Sequence, residues 1–388
     1  MKNLLSLLSL VLASINLLAQ DSSAPRTEAP RTNAPARREF MALVSPEVQR
    51  DRTVTFRLRA PNAKEVKLAG EWAGATNALI NSNGTWTAMV GPLPPDIYGY
   101  SLVVDGLSIA DPSNPWLKPM RASRTSVLEI PNDPPSLWQF QAVPHGTVHE
   151  HAYFSKSLDM KRRLHVYTPP GYEKNSQRYP VLYLFHGAGD NDATWTAHGR
   201  AQFIADNLLA EHKTKPMIII MPDGHAYSGN PTQVSSNLMA RNVERFRDDL
   251  LQDVMPWIES VYRVKAGRNN RAIIGLSMGG GQSLAIGLKR HDLFGWVGGM
   301  SSFLPNAQKV VEEVFPNGKS DLKLLWFACG KDDRLIDGAR QLSAALNEKH
   351  IPHQFKETEG NHSWPVWRRY LGDFLPLLFT KNTDQVAK

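Results

Sequence analysis

The sequence predicts an α/β fold with a mostly parallel sheet, preceded by a small all-β sandwich. From Pro180 onwards, apolar runs typical of buried strands alternate with segments of helical periodicity. This βαβα order favours a parallel sheet covered on both faces. Between Phe40 and about Pro135, short segments instead alternate apolar and polar residues and are separated by Gly and Pro turns. Such segments are typical of the strands of a small sandwich.

Length and composition set the broad class of the protein. The chain has 388 residues, more than one domain usually contains, and its hydrophobic content of 42% and charged content of 21% are ordinary for a globular protein. The net charge of +7 is scattered along the chain, which argues against a nucleic-acid-binding surface. The single cysteine, Cys329, excludes an intramolecular disulfide and lies in an apolar run that predicts a buried strand.

The first 38 residues predict export rather than folded structure. Residues 1–20 have a charged start and an apolar run, which together predict a secretory signal peptide. The run is short and interrupted by polar residues, and no other apolar stretch is long enough to span a membrane. Residues 21–38, rich in Ala, Pro, Arg, Ser and Thr, predict a disordered linker. We therefore expect a secreted or periplasmic protein.

Residues 39–135 carry the all-β pattern. Residues 53–59 alternate as a half-buried strand does, and Asp105-Gly106 is a strong signal for a two-residue hairpin turn. This stretch resembles the immunoglobulin-like early-set domains found ahead of glycoside-active enzymes. The resemblance rests on Ala60-Pro61-Asn62-Ala63, Leu68-Ala69-Gly70-Glu71-Trp72, Tyr98-Gly99-Tyr100 and Asp111-Pro112.

Sugar binding by this β-domain would require exposed aromatic rings, and Trp72, Trp86 and Trp116 are the candidates. We favour a packing role for the domain over sugar binding, with Trp86 in its core. If the domain is a satellite module, deletion of residues 21–135 should leave activity on a small soluble ester largely intact.

The second domain, residues 136–382, is organised around Gly275-Leu276-Ser277-Met278-Gly279. An apolar run precedes this motif and a helical pattern follows it, which together predict the nucleophile elbow of an α/β-hydrolase fold, with Ser277 as nucleophile. The turn strains the backbone of the serine, so its neighbours must lack bulk, and Gly275, Gly279 and Gly280 meet that need.

A serine nucleophile needs a histidine base, and the histidine needs a carboxylate. In α/β-hydrolases these groups follow one another in the order serine, acid, histidine. Among the histidines after Ser277, only His362 follows the last predicted strand, where the base should lie. The acid should follow the strand that ends near Cys329, and Asp332 and Asp333 both lie there.

The oxyanion hole requires two backbone N–H groups aimed at the developing alkoxide. We expect one from Met278, the residue after the nucleophile, and one from Ala188, with Gly187 as the alternative. His186 lies beside these residues but precedes the elbow in the chain, so we expect it to shape the loop by a hydrogen bond rather than to act as the base.

These residues together resemble the esterase-D-like α/β-hydrolases, and among them carbohydrate esterase family one, which includes feruloyl and acetylxylan esterases. The resemblance covers residues 145–380 and implies ester hydrolysis through a Ser-His-Asp acyl-enzyme mechanism without a cofactor. In this family the acid lies third after the strand-end glycine, which favours Asp333. The matching motifs are Tyr167-Thr168-Pro169-Pro170-Gly171-Tyr172, Tyr179-Pro180-Val181-Leu182-Tyr183-Leu184, His186-Gly187, Met221-Pro222-Asp223-Gly224, Gly275-Leu276-Ser277-Met278-Gly279-Gly280, Cys329-Gly330-Lys331-Asp332-Asp333 and Gly360-Asn361-His362.

The resemblance also implies a substrate class, acylated plant cell-wall polysaccharide. Our first choice is a feruloyl esterase that releases ferulate from arabinoxylan; acetylxylan esterase and siderophore (catecholate triester) esterase are alternatives, as is an inactive carbohydrate-binding protein. A feruloyl ring calls for an apolar, aromatic pocket. Trp195, Tyr227 and Trp364 follow strand ends near the expected site and are our candidate substrate-binding residues, whereas Trp367 is expected in the core.

Two histidines form a possible metal site. His149 and His151 share one face of a predicted strand, and His145 lies nearby. No cysteine or carboxylate cluster accompanies them, so we expect polar residues on an exposed strand face and no metal.

Overall fold

The structure, a computed structural model, describes residues 43–72, 74, 76–227 and 236–380, with the backbone alone at residues 76 and 236–240. The predicted signal peptide, residues 1–20, and the predicted linker, residues 21–38, lie outside the described residues. So do the first residues of the predicted β-domain, 39–42, and the last of the second domain, 381–382.

Two antiparallel sheets make up the N-terminal β region, residues 43–130. The first has the strand order β1-β2-β6-β5, and the second has the order β4-β3-β7-β8 with β9 also paired to β7. The apolar residues of both sheets share one core, which includes Phe56, Trp86, Tyr100 and Leu128. The strands are β1 (Glu47–Val48), β2 (Val54–Arg59), β3 (Val66–Gly70), β4 (Thr76–Ala78), β5 (Ile80–Ser82), β6 (Thr85–Val90), β7 (Asp96–Val104), β8 (Leu107–Ile109) and β9 (Ser126–Ile130).

The predicted hairpin turn joins β7 to β8. Asp105 has a φ of 48° and Gly106 a φ of 86°, the pair of positive values that a type I′ turn requires. Trp72 and Trp86 are buried in the core of this region, whereas Trp116 is 70% exposed. The immunoglobulin-like class of the region remains a prediction.

The rest of the chain forms an α/β region around one sheet of eight strands, in the order β10-β11-β13-β12-β14-β15-β16-β17. Strands β12 to β17 are parallel, and β10 and β11 add an antiparallel edge. The predicted mostly parallel sheet is thereby confirmed. The strands are β10 (Thr147–Ser155), β11 (Met160–Thr168), β12 (Val181–Phe185), β13 (Ile218–Pro222), β14 (Arg271–Gly275), β15 (Trp296–Met300), β16 (Leu324–Gly330) and β17 (Gln354–Thr358).

Helices cover both faces of this sheet, and each face has its own core. Along β12, Val181 and Tyr183 belong to one apolar cluster, while Leu182 and Leu184 belong to the other. This split follows from the alternation of side chains along a strand. The helices are α1 (Thr194–Ala197), α2 (Ala201–Ala210), α3 (Ser236–Asp248), α4 (Met255–Val261), α5 (Met278–Lys289), α6 (Ala307–Val314), α7 (Ile336–Glu348) and α8 (Trp364–Phe374).

The sequence predicts one helix over residues 242–261, and the structure instead has α3 and α4 joined by a π-helical turn, Asp249–Val254. Pro256 lies in the first turn of α4. Because proline has no N–H to donate and its ring clashes with the preceding turn, a regular ladder cannot continue through it. The π-helical turn ends two residues before this proline.

The N-terminal β region packs on α8, the helix that follows the last strand. Arg368 of α8 is fully buried, and its guanidinium donates hydrogen bonds to Asp96 Oδ1 of the β region at 2.8 and 3.2 Å. The same guanidinium donates to the carbonyl oxygens of Ile97 and His198. A buried arginine needs such partners, because an unpaired buried charge is strongly destabilising.

Candidate active site

Four loops meet at the carboxyl edge of the parallel sheet, where α/β proteins place their sites. They follow strands β12, β14, β16 and β17 and carry residues 186–190, Ser277, Asp333 and His362 respectively. Strand β14 lies between β12 and β15, and β15 pairs with β16. The serine therefore stands near the middle of the edge, with the acid and the base on one side and the oxyanion candidate on the other.

The elbow has the strained geometry that the sequence predicts. Ser277 has a φ of 54° and a ψ of −114°, a combination that non-glycine residues rarely adopt. The Ser277 N–H donates to the Met300 carbonyl oxygen at 2.9 Å, and its own carbonyl accepts from the Phe303 N–H at 3.0 Å. Neighbouring strands and loops thus hold the serine in this conformation.

Glycine is required on both sides of the serine because the backbones are in direct contact. A Cβ added to Gly275 would lie 2.4 Å from the Gly279 carbonyl oxygen, and one added to Gly279 would lie 2.4 Å from the His186 carbonyl oxygen. Real Cβ atoms do not approach that closely. The strand, the turn and the helix therefore close only with glycine at these positions.

Ser277, His362 and Asp333 form one chain of hydrogen bonds. The Ser277 Oγ lies 2.9 Å from His362 Nε2, and His362 Nδ1 lies 2.8 and 3.0 Å from the two carboxylate oxygens of Asp333. An ionised carboxylate can only accept, so Nδ1 carries the proton and Nε2 is free to accept from the serine hydroxyl. Asp332, the alternative acid, is exposed, and among the described residues its side chain makes no hydrogen bond to His362.

The environment of Asp333 keeps its carboxyl ionised. Asp333 is almost fully buried, which by itself raises the pKa of a carboxyl group. Hydrogen bonds from His362, Ser301 and the Leu335 N–H outweigh that effect and hold the pKa below its usual value. Ser301 in turn accepts a hydrogen bond from the Trp367 indole N–H at 3.0 Å. Sequence reasoning missed Ser301 as a partner of the acid.

The loop at residues 187–190, which we call the oxyanion loop, lies directly against the elbow. A Cβ added to Gly187 would lie 2.6 Å from Leu276 Cδ1 and 3.5 Å from Ser277 Cβ. The Gly187 carbonyl oxygen accepts from His186 Nδ1 at 2.8 Å and from the Asp190 N–H at 3.3 Å. Among the described residues, neither the Ala188 N–H nor the Met278 N–H has a hydrogen-bond acceptor. Both are therefore available to a ligand.

His186 shapes the loop, as the sequence predicts. It is buried, its Nδ1–H donates to the Gly187 carbonyl, and its Nε2 accepts from the Gly224 N–H at 2.8 Å. A second histidine, which sequence reasoning missed, contacts the loop from the next strand: His225 Nε2 accepts from the Gly189 N–H at 3.3 Å. Burial lowers the pKa of His225 to about 3, so this nitrogen stays an acceptor near neutral pH.

Two of the three aromatic residues predicted to bind substrate, Trp195 and Trp364, are buried, so the prediction is wrong for them. Trp195 and Trp364 are each 1% exposed, and their rings meet edge to face with their centres 4.9 Å apart. The Trp195 indole N–H donates to the Phe185 carbonyl at 3.0 Å. Both rings therefore belong to the core under the site, and neither has surface left to contact a substrate.

Two other aromatic residues, Tyr227 and Trp367, have contacts that differ from those of the buried pair. Tyr227 is half-buried, and the Arg121 guanidinium of the β region lies 5.3 Å from the centre of its ring. Trp367 is buried, as predicted, and its ring meets that of His362 edge to face at 4.9 Å. The core tryptophan thereby fixes the orientation of the histidine ring.

The described residues hold neither a metal cluster nor a membrane-spanning helix. No group of three or more His, Cys, Asp or Glu side chains among them could hold a metal ion. The Nε2 atoms of His149 and His151 instead contact the hydroxyl groups of Thr168 and Tyr262. Within the same residues, no helix is both long and apolar enough to cross a bilayer.

Comparison with known proteins places the fold in one family. The sequence model of the family described as "Putative esterase" matches residues 155–378. A protein named endo-1,4-beta-xylanase/feruloyl esterase, from Xylanibacter ruminicola, is 31% identical over 346 residues, which are 86% of this chain and 46% of that protein. The chain spans about half the length of the first curated relatives that it matches.

Two solved structures extend this comparison. A CE1 ferulic acid esterase from the anaerobic fungus Anaeromyces mucronatus is 25% identical with a TM-score of 0.57, and the match covers 63% of this chain and 96% of that one. The enterobactin esterase from Shigella flexneri is 18% identical with a TM-score of 0.60, covers 85% and 95% of the two chains, and shows the fold alone. Because the family match covers more than half of the chain and these structures share its α/β-hydrolase fold, the chain belongs to the putative esterase family.

Proposed function

We propose that this protein is a serine carboxylesterase in which Ser277 is the nucleophile, His362 the general base and Asp333 the acid that orients the base. The observation that carries the proposal is the unbroken hydrogen-bond chain from Ser277 Oγ through the imidazole to the carboxylate. Such a chain lets a weakly acidic hydroxyl attack an ester near neutral pH.

The reaction begins with proton transfer from Ser277 Oγ to His362 Nε2 while Oγ attacks the ester carbonyl carbon. The carbonyl π electrons move to oxygen, and the Met278 and Ala188 N–H groups donate hydrogen bonds to that oxyanion. Asp333 stabilises the imidazolium. The oxyanion then re-forms the carbonyl, the alcohol leaves with the proton from His362, and the acyl group remains on Ser277.

Water completes the cycle through the same groups in reverse. His362 Nε2 accepts a proton from the water as its oxygen attacks the acyl-enzyme, and the second oxyanion occupies the same hole. Collapse of this intermediate breaks the bond to Ser277 Oγ, which takes the proton back from His362. The chemistry uses side chains and backbone alone, so the proposed mechanism needs no cofactor.

The substrate class that we propose is acylated plant cell-wall polysaccharide, with a feruloyl ester as the preferred substrate. Support comes from the relatives, since one is named endo-1,4-beta-xylanase/feruloyl esterase and one solved structure is described as a CE1 ferulic acid esterase. We retain Tyr227 as a candidate wall of the acyl site, because an amphipathic ring suits a phenolic acyl group. The predicted signal peptide at residues 1–20 would place the enzyme in the periplasm or outside the cell.

The proposal is tested by product release from three substrates assayed side by side: feruloylated arabinoxylan, acetylated xylan and a catecholate triester. We expect ferulate release by the wild type and none by Ser277→Ala. Fast deacetylation of xylan with no ferulate release from arabinoxylan would replace the feruloyl assignment by acetylxylan esterase, and hydrolysis of the triester alone would favour a siderophore esterase. No hydrolysis of any ester would overturn the enzyme assignment.

A further inference from the structure

A segment of the N-terminal β region runs beside the oxyanion loop. Met120 forms an antiparallel bridge with Asp190, the last residue of that loop. The Arg121 N–H donates to the Gly189 carbonyl oxygen at 2.9 Å. The loop is therefore extended into a short sheet-like pairing with a part of the chain about 70 residues earlier.

Lys118, in the same segment, is a buried cation between two parts of the site. It is 7% exposed, and its Nζ lies 3.2 Å from Asp190 Oδ1 and 5.4 Å from the centre of the Trp364 ring. Asp190 ends the oxyanion loop, and Trp364 begins α8 two residues after His362. One side chain thus contacts both the oxyanion loop and the element that follows the base.

The charges around Lys118 are balanced within the protein. Burial by itself raises the pKa of the Glu71 carboxyl, but the neighbouring His198 side chain, the charge of Lys118 and a hydrogen bond from the Gly99 N–H hold it down to about 2. Glu71 is thus an anion over the ordinary pH range, and the charge of Lys118 acts on it as well as on Asp190, its ion-pair partner. Neutralising Lys118 would leave two carboxylates without their cation.

The oxyanion loop depends on contacts at its ends. The Gly187 carbonyl and the Gly189 N–H are already used inside the site, by His186 and His225. Gly189 has a φ of +84°. Glycine adopts positive and negative φ values with similar energy, so this residue does not by itself fix the conformation of the loop. The direction of the Ala188 N–H therefore also depends on the contacts of Asp190 and Gly189, and these include Lys118, Met120 and the Arg121 N–H of the β region.

We infer that Lys118 is a positioning residue of the active site: through Asp190 and Trp364 it holds the oxyanion loop and the start of α8 in register with Ser277. The inference rests on the proposed function, since it gives the loop its role in ester hydrolysis. It also means that the N-terminal β region completes the catalytic site instead of merely accompanying it.

The expected effect is on the transition state. Loss of one oxyanion donor costs about 10²–10³-fold in kcat in serine hydrolases, and a displacement of about 1 Å in a site costs up to about 10²-fold. Loosening the loop without removing the donor should therefore lower kcat by about 10–100-fold. KM for a small ester should change by less than about 3-fold, because the ground-state ester makes little use of the hole.

The test measures kcat and KM of the full chain with 4-nitrophenyl acetate for Lys118→Met, Lys118→Arg, Asp190→Asn and the double variant Lys118→Met/Asp190→Asn. We expect the fall in kcat for Lys118→Met and Asp190→Asn, partial recovery for Lys118→Arg, and a double variant no worse than Lys118→Met. Lys67→Met is the matched control: Lys67 lies in the same β region, is half-buried and, among the described residues, forms an ion pair only with Glu65, so the kcat of this variant should equal that of the wild type.

Thermal unfolding of each variant separates positioning from stability. A Lys118→Met protein that is folded at the assay temperature with wild-type kcat overturns the inference, even if its Tm is lower. If Lys118→Met does not fold, Asp190→Asn decides, since it keeps the shape of the side chain and removes only the ion pair; wild-type kcat in that variant overturns the inference as well. Failure of the proposed function looks different, because the wild type would then not hydrolyse the ester or Ser277→Ala would hydrolyse it equally well.

Discussion

The nucleophile elbow and the oxyanion loop stand side by side, but different parts of the chain hold them. The elbow is held entirely within the α/β region: Gly275 and Gly279 pack against backbone atoms, and the Ser277 N–H is bonded to the Met300 carbonyl of the next strand. The oxyanion loop is paired with the N-terminal β region at Met120 and Lys118. The base is held by both regions: His362 is bonded to Asp333 of the α/β region, and α8, which follows it, is anchored to Asp96 of the β region.

This difference shows that a short sequence motif specifies the elbow, whereas the position of the oxyanion loop depends on residues from a distant part of the chain. A strained turn needs small residues at fixed positions around it, so about six consecutive residues are enough to recognise it. A loop held by a distant cation leaves no local trace, because Lys118 and Asp190 are 72 positions apart. Substitutions in the catalytic residues should therefore lower kcat directly, whereas substitutions at the contacts with the β region should change how the loops of the site are held.

Apart from substitutions of Ser277 and His362, the largest effect should come from the acid. Asp333→Asn is expected to lower kcat by about 10⁴-fold, because an amide at this position presents a donor to His362 and favours the wrong tautomer of the ring. Asp332→Asn is the matched control, since Asp332 is the exposed neighbour and its backbone N–H, which the substitution keeps, is bonded to the Gly360 carbonyl. Steady-state rates of both variants on one ester check the ranking, and the reverse order would assign the role to Asp332.

Deletion of residues 21–135 is the next largest perturbation. The contacts of Lys118 and Asp96 argue that the truncated chain will lose at least about 10²-fold in kcat on a small soluble ester. A satellite module would predict no loss. Activity per folded molecule, with folding checked by circular dichroism, distinguishes the two, and an undiminished rate would show that the α/β region is sufficient.

The anchor behind the base should be important mainly for stability. Asp96→Asn leaves the buried Arg368 without its carboxylate, which we expect to lower the free energy of unfolding by about 3–5 kcal/mol. Asp373→Asn breaks a pair of exposed side chains, Lys356 and Asp373, and should cost less than about 1 kcal/mol. Urea unfolding of the two variants gives the comparison, and equal losses would mean that the buried pair is not an anchor.

A smaller, pH-dependent effect should come from His198, also at the boundary with the β region. Burial lowers its pKa to about 4, although Glu71 acts in the opposite direction. Between pH 6.5 and 4 the unfolded chain binds a proton that the native chain excludes, so stability falls as the pH falls through this window, by up to about 3 kcal/mol. Urea unfolding at pH 7 and pH 4.5 should show a smaller loss for His198→Gln than for the wild type; equal losses would exclude His198 as a source of the pH dependence.

The catalytic candidates were the part of the molecule most open to prediction. Ser277 and Asp333 follow buried strands and His362 follows the edge strand β17, and parallel strands deliver their carboxyl ends to one edge. Chain order and position after the last strand then exclude the other histidines, and in the structure His362 lies within 3.0 Å of both Ser277 and Asp333. The strands before Ser277 and Asp333 were recognisable because each is a short apolar run bounded by turn residues.

Burial of the loop residues could not be predicted in the same way. Trp195 and Trp364 follow strand ends just as Ser277 and His362 do, but their rings turn inward, and Lys118 of the β region covers Trp364. Position along a loop does not determine which way a side chain points, and the covering residues are far away in sequence. His225 gave only a weak signal, as a polar residue just past the motif that ends at Gly224.

The measurement that tests the account most directly is kcat for Ser277→Ala, His362→Ala and the double variant on methyl ferulate. If the two side chains act as one unit, each single substitution lowers kcat by at least about 10⁴-fold. The double variant then has about the same kcat as the less active of the two single variants. Additive losses, or a single variant that keeps most of the wild-type rate, would contradict the proposed catalytic unit.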